Sequence, residues 1–271
     1  MARVARQAPG GLVYHVLNRA VARSALFQKD SDYAAFLRIM GEALQEHPTR
    51  LLAYCLMPNH WHLVVWPSAD DELTAFVRWL THTHAMRWHA HYQTTGTGHL
   101  YQGRFKAFPI QSDEHLYTVL RYVERNPLRA SLVARAEDWP WSSLSRRQAR
   151  GGSPDSLLAT WPAPAPVNWV EWVNIPQTET EVEAVRCCVA RCRPYGESAW
   201  QEQTARALGI EASLRPRGRP RKRQPPAPQN ELRPLFRVNP SPVMSMTPCP
   251  EDLNSARRAV VVSPRPEPQD G

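Results

Sequence analysis

Arg50-Leu51-Leu52-Ala53-Tyr54-Cys55-Leu56-Met57-Pro58-Asn59-His60-Trp61-His62-Leu63-Val64-Val65-Trp66 is the stretch that decides how this chain folds. Arg50 to Met57 and His60 to Trp66 read as strands, and Pro58-Asn59 between them reads as a tight turn, so the whole is a β-hairpin. Side chains at i and i+2 of a strand share a face. His60 and His62 therefore project together, while Trp61, Leu63 and Val65 share the opposite face and can pack on helices. Two adjacent imidazoles make half of a divalent-metal site. Two unrelated histidines on a half-exposed strand are the competing reading of the same residues.

Outward from the hairpin, Leu12 to Leu17 reads as a strand entered through the Pro9-Gly10-Gly11 turn. Ser31 can cap a helix running to about Glu46, in which Phe36, Leu37, Met40 and Leu44 keep helical spacing. A long helix is expected from Asp71 to about Tyr92, a Thr-Gly loop from Thr94 to Gly98, and a strand from Arg104 to Ile110. Ser112 would cap a further helix that reaches about Asn126 and stops before Pro127. This order predicts an α+β fold, a mostly antiparallel sheet with helices packed on one face, ferredoxin- or RRM-like. Residues 1–150 form the main domain and 151–178 a linker rich in Pro and Ala. Residues 179–214 form a small helical segment, with helices at Glu179 to Arg193 and Ser198 to Leu208, the second stopped by Gly209. Residues 215–271 form a basic, Pro-rich tail that is expected to be disordered.

The formal net charge is +8 and 26 prolines crowd toward the end of the chain. The positive balance favours a polyanionic partner, although a merely soluble basic protein has the same composition. The five cysteines, Cys55, Cys187, Cys188, Cys192 and Cys249, have neither the even count nor the spacing of a disulfide framework, and no second pair completes a zinc site around Cys188 and Cys192. They read as reduced. The N-terminus lacks an apolar signal core and no apolar run reaches membrane-spanning length, so a cytoplasmic protein with no membrane partner is expected.

A second chemical feature lies in His115 to Pro127. Leu116, Val119, Leu120 and Val123 follow the i, i+3, i+4, i+7 rule and form a stripe to be buried. Tyr122 and Asn126, four residues apart, lie together on one flank of it, and Tyr117 falls on the other. If the stripe docks on the sheet, one flank faces the His strand. A tyrosine placed there could attack phosphorus, provided a metal or base activates the phenol; an ordinary amphipathic interface residue is the alternative. His82, His84, His89 and His91 sit in a helical stretch, where i,i+2 side chains diverge, and read as a solvated polar face.

The Pro58-Asn59-His60-Trp61-His62-Leu63 run and the Arg121-Tyr122-Val123-Glu124-Arg125-Asn126-Pro127-Leu128-Arg129-Ala130 run together resemble transposases of the His-hydrophobic-His (HUH) superfamily, above all the REP-associated tyrosine transposases. Tyr14-His15-Val16-Leu17-Asn18-Arg19 with Leu26-Phe27, Tyr101-Gln102-Gly103-Arg104-Phe105-Lys106, and Asp138-Trp139-Pro140-Trp141-Ser142-Ser143 resemble other stretches of that family, so the resemblance covers about residues 9 to 150. It implies that residues 1–150 are a catalytic domain in which His60 and His62 hold Mg²⁺ or Mn²⁺ and Tyr122 forms a 5′-phosphotyrosine link. Asn126 would be a third metal ligand, where insertion-sequence relatives usually carry Gln, so the reach of the amide is shorter. The implied partner is single-stranded or hairpin DNA from repetitive extragenic palindromes, bound by a monomer or homodimer. Arg19, Arg104, Arg125 and Arg129 are the expected DNA contacts of the domain, and Arg217, Arg219, Arg221 and Lys222 those of the tail. Arg217-Gly218-Arg219-Pro220-Arg221 resembles a minor-groove hook, and a solvated charge run is its plain alternative.

Two other classes of function fit parts of the sequence. A nucleic-acid-binding protein without chemistry would also use a sheet with a basic face. A phosphodiesterase that employs water would need the histidines but not Tyr122. A covalent protein–DNA adduct separates the transposase from both.

Overall fold

The structure is a computed structural model that describes residues 7–149 and 157–215. The chain divides into two units, Met1–Gly218 and Arg219–Gly271, and every described residue falls in the first. The expectations for the tail, with Arg217, Arg219, Arg221 and Lys222, lie outside the described residues.

Four strands, β1 (Val13–Arg19), β2 (Arg50–Met57), β3 (His60–Trp66) and β4 (Lys106–Ile110), form one sheet in the order β2-β3-β1-β4. All neighbours are antiparallel. The first helices are α1 (Asp30–Glu46) and α2 (Glu72–His91). With them the β1-α1-β2-β3-α2-β4 sequence has the ferredoxin-like connectivity, and the predicted hairpin is present at its predicted bounds.

Both faces of the sheet are apolar, and each takes its own helices. Tyr14, Val16, Trp61, Leu63 and Val65 meet Phe36, Ile39 and Met40 of α1 and Phe76, Val77 and Leu80 of α2. On the other face Val13, Cys55, Val64, Phe108 and Ile110 meet Leu116, Val119, Leu120 and Val123 of α3 (Glu114–Glu124). The expected single helical layer is therefore α1 and α2 alone, and α3 adds a second layer because the strands bury both sets of alternating side chains.

Helix α3 ends earlier than its pattern suggested, and the chain then turns again. Arg125 interrupts it, and Asn126–Arg129 forms one more turn, α4, with Pro127 near its start, where a missing N–H is harmless. Tyr122, Asn126 and Arg129 thus follow i, i+4, i+7 spacing across the break. At the starts of α1 and α3 an acidic side chain, rather than a serine, accepts from the backbone N–H groups. Asp32 Oδ2 accepts from the backbone N–H groups of Gln28 and Lys29 at α1, and Asp113 accepts from His115 N–H at α3.

Later segments close the sheet edges. The Trp139–Ser143 stretch, which leads into α5 (Ser143–Gln148), lies along β2. Trp139 Nε1 donates to Leu56 O at 2.9 Å, and Leu56 N–H donates to Trp141 O at 2.9 Å. On the far edge Tyr195 N–H donates to Pro109 O and Gln111 N–H to Tyr195 O. Both edges are thereby denied to another chain.

Residues 151–178, expected as linker, are packed from 157 onward. They contain α6 (Trp169–Asn174), and Trp161, Trp169 and Val173 are buried against α3. Glu124 is fully buried between the Ser143 hydroxyl (2.5 Å) and Trp169 Nε1 (2.7 Å), and burial raises its pKa. Helices α7 (Glu179–Arg191) and α8 (Ser198–Ala207) follow. Thr178 and Glu181 form a capping box at the start of α7, and Gly209 leaves α8 in the left-handed region at φ +63°.

The solvated face expected for His82, His84, His89 and His91 holds for the exposed His82 but not for His84, which is buried with Nδ1 2.6 Å from the Tyr101 hydroxyl. Burial pushes the His84 pKa down from 6.5 to about 3. Unfolding therefore takes up a proton between about pH 6.5 and 3, and stability falls as pH falls through that window. His84→Asn, which keeps a polar partner for Tyr101, should flatten the slope of unfolding free energy against pH by up to ~1.4 kcal/mol per pH unit between pH 6.5 and 5. Urea titrations at several pH values check this, and equal slopes for the two proteins would contradict it.

Candidate active site between the third strand and the third helix

Antiparallel register places the two site histidines in the middle of the sheet. His62 pairs with Leu17 on one side and Cys55 on the other, and His60 with Arg19 and Met57. Their rings point to the face covered by α3, with centroids 5.0 Å apart at 79°. His62 is only 4% exposed and His60 is half-buried.

Each ring has one nitrogen engaged. His60 Nδ1 lies 2.6 Å from Asn59 Oδ1, and His62 Nδ1 lies 2.8 Å from Nε2 of His15, which projects from β1. The carboxamide oxygen can only accept, so Nδ1 of His60 carries the proton. Among the described residues the Nε2 atoms of His60 and His62 have no hydrogen-bond partner, and neither is sealed from solvent. Burial pushes the His60 pKa down to about 4, with the charges of Arg19 and Arg129 acting the same way. Burial also takes His62 well below its ordinary value, helped by His60, His15, Arg129 and Arg19, and holds His15 at about 3. All three imidazoles are neutral at pH 7.

The α3 flank that faces these rings is the one carrying Tyr122. Its ring centroid is 6.1 Å from that of His62 and 6.3 Å from that of His15, nearly perpendicular to both. The Arg129 guanidinium lies over the Tyr122 ring at 4.2 Å. Arg129 Nη2 donates to Asn126 Oδ1 at 3.1 Å and approaches Tyr122 O at 3.5 Å, while its buried Nη1 has no partner. Burial lowers the Arg129 pKa, and the neighbouring Tyr122 raises it. Arg19, opposite His60, likewise has a buried Nε without a partner. Tyr117 is on the other flank, its hydroxyl donating to Pro164 O at 2.8 Å.

Asn126 is 8% exposed, and its side-chain oxygen is turned toward Arg129; one lone pair of that oxygen remains. Among the described residues no group of three or more His, Cys, Asp or Glu is arranged to hold a metal. The site therefore offers two imidazole nitrogens without hydrogen-bond partners and one amide oxygen rather than a closed cage.

The expected DNA contacts divide three ways. Arg19 and Arg129 are at the site. Arg104 is exposed and lines a surface cavity of about 710 Å³ with Arg78, Trp79 and Phe105. Arg125 must be corrected: its Nη1 donates to Val173 O and Asn174 O, at 3.3 and 2.9 Å. Arg121, 4% exposed, does the same for Trp172 O and Ile175 O. Both guanidiniums satisfy carbonyls at the end of α6, where the last turn of a helix leaves acceptors free. The cysteines Cys55, Cys187, Cys188 and Cys192 are free thiols.

Sequence reasoning gave His15 no role. Alternation along β1 places it on the face of Val13 and Leu17, but only the β1–β3 register shows that it reaches His62.

The chain is similar to known transposases. Residues 10–126 match the family described as transposase IS200 like, and over that segment the chain is similar to it. The REP-associated tyrosine transposase of Escherichia coli K12 is 26% identical over 148 residues, 52% of this chain and 81% of the relative. A Haemophilus influenzae protein of strain Rd, provisionally given the same name, is 29% identical over 142 residues, 46% of this chain and 80% of its own. A solved REP-associated tyrosine transposase bound to a REP hairpin superposes with a TM-score of 0.45 at 23% identity, covering 57% of this chain and 89% of that one.

The reassignment of Arg125 can be checked by stability alone. Arg125→Ala is expected to lose about 1.5–3 kcal/mol, because a charged donor to two carbonyls is removed. Arg104→Ala, at an exposed position, should stay within about 0.5 kcal/mol of the parent. Indistinguishable urea midpoints for Arg125→Ala and the parent would contradict the structural role.

Proposed function

We propose that this chain is a transposase that nicks and rejoins single-stranded or hairpin DNA through a covalent link to Tyr122. The supporting observation is the contact of the Tyr122 ring with the buried His62 ring at 6.1 Å, beneath the guanidinium of Arg129. A sheet that only bound nucleic acid would not need a phenol, two imidazoles and a guanidinium packed against one another on one face.

In the proposed reaction the Tyr122 oxygen attacks the scissile phosphorus and its proton passes to solvent. The bond from phosphorus to the 3′ oxygen breaks, and that oxygen takes up a proton. The 5′-phosphate stays on Tyr122, and a 3′-hydroxyl is free. Rejoining is the reverse attack by a 3′-hydroxyl on the phosphotyrosine, so the energy of the broken diester bond is kept. A phenol is a weak nucleophile at neutral pH and needs help. Arg129 lies over the Tyr122 ring, where its charge stabilises the phenolate as it develops. Arg19, across from His60, can steady the strand on the other side.

The donor set fits a divalent cation. Nε2 of His60 and of His62 would hold it, with Asn126 Oδ1 as third ligand, and the open positions suit Mg²⁺ or Mn²⁺. Such an ion supplies Lewis-acid polarisation of the scissile phosphate. Repetitive palindromic DNA in the bacterial cytoplasm is the substrate we assign, by analogy with the relatives' name.

Labelled hairpins from the source genome test the proposal. Tyr122→Phe should lose cleavage by at least about 10³-fold, ~4 kcal/mol of barrier, with DNA binding kept because only a hydroxyl is removed. Tyr117→Phe should cleave normally. EDTA, His60→Ala or His62→Ala should each stop cleavage, and Mn²⁺ or Mg²⁺ should restore the EDTA-treated parent. Full cleavage by Tyr122→Phe would refute covalent chemistry, and cleavage persisting in EDTA would refute the metal.

A further inference from the structure

His15 is a fully buried histidine at the centre of a sheet, with a bonded nitrogen on one side and nothing on the other. The ring is coplanar with that of His62 to within 9°, and the 2.8 Å contact joins its Nε2 to His62 Nδ1. A 2.8 Å contact between two ring nitrogens holds a single proton, and its direction sets the tautomer of both rings. If His62 donates, its Nε2 is bare. If His15 donates, His62 Nε2 bears a hydrogen and cannot ligate.

We infer that His15 is a positioning residue for His62: it accepts the Nδ1 proton and thereby holds the Nε2 lone pair toward the site. The direction follows from the surroundings. His15 Nδ1 is sealed and unpartnered in either tautomer, as an N–H if His15 accepts and as a lone pair if it donates. His62 Nε2 is open to the site, where Arg129 lies over the Tyr122 ring that contacts His62 and Arg19 pairs with His60, so both neighbouring charges are positive. A bare nitrogen is the negative end of a neutral imidazole, so it is favoured beside them, while an N–H there is repelled. Edge contacts with Phe108 and Tyr122, inclined at 66° and 82° to His15, hold its ring in this plane. The arrangement on His60 is parallel, with Asn59 Oδ1 as acceptor. Each candidate ligand thus has its own acceptor behind it, as metal-binding histidines require. This inference rests on the proposed metal site.

Two measurements test it. In the metal-free parent at neutral pH, ¹⁵N spectra of the imidazoles should show His62 with a protonated Nδ1 and a bare Nε2, and His15 protonated at Nδ1. A proton on His62 Nε2 would overturn the inference. In Mn²⁺ titrations followed by electron paramagnetic resonance, His15→Phe should bind about 10- to 100-fold more weakly than the parent. His15→Gln, whose carbonyl oxygen sits three bonds from Cβ like the nitrogen it replaces, should recover most of the affinity. Equal Mn²⁺ affinity for a folded His15→Phe protein and the parent would overturn the inference while leaving the metal site standing. A parent that binds no Mn²⁺ would instead refute the metal site itself. Should His15→Phe fail to fold, the parent spectrum alone decides.

Discussion

Helix α3 docks on the sheet through Leu116, Val119, Leu120 and Val123, and the rest of the site depends on that contact. A helix with one buried stripe has two flanks, and docking decides which neighbours each flank meets. Here one flank carries Tyr122 toward His62 and His15, and the other carries Tyr117 toward Pro164 and the tryptophans of the following segment. The short turn beyond Pro127 extends the first flank by Asn126 and Arg129. A rotation of α3 by one residue, about 100°, would separate phenol and imidazole while keeping the helix amphipathic.

The same helix is held in rotation from outside. Arg121 and Arg125 bind carbonyls at the end of α6, and Glu124 is bonded to Trp169 and Ser143. Four successive positions after Leu120 therefore have separate tasks: a clamp at Arg121, the phenol at Tyr122, the core at Val123, and a buried carboxylate at Glu124. Arginines of one short run divide accordingly. Those near the α6 carbonyls are structural, and Arg129, one turn on, remains with an unpaired N–H beside the phenol.

Much of this was legible in the residues. The hairpin of residues 50–66 was bounded correctly because its alternation and its Pro-Asn turn point the same way. The placement of Tyr122 and Tyr117 on opposite flanks followed from helical spacing alone. What could not be read was anything set by pairing between distant segments. His15 meets His62 only through the β1–β3 register, and Arg125 meets α6 only because a segment rich in Pro and Ala packs instead of trailing. Composition misled there: Trp161 and Trp169 buried in a Pro-rich stretch outweigh the usual meaning of its prolines. His84 misled for a related reason, since helical spacing says which side chains diverge but not that Tyr101 arrives from another segment to receive one of them.

The central claim is that Tyr122 itself becomes joined to DNA. Its most direct test is mass spectrometry of the protein digested after incubation with a cleavable hairpin and Mg²⁺. The account predicts a modified peptide containing Tyr122, with the added mass of a nucleotide chain linked through its 5′-phosphate. Cleaved strands accumulating with no modified peptide, or a link at any other residue, would contradict it.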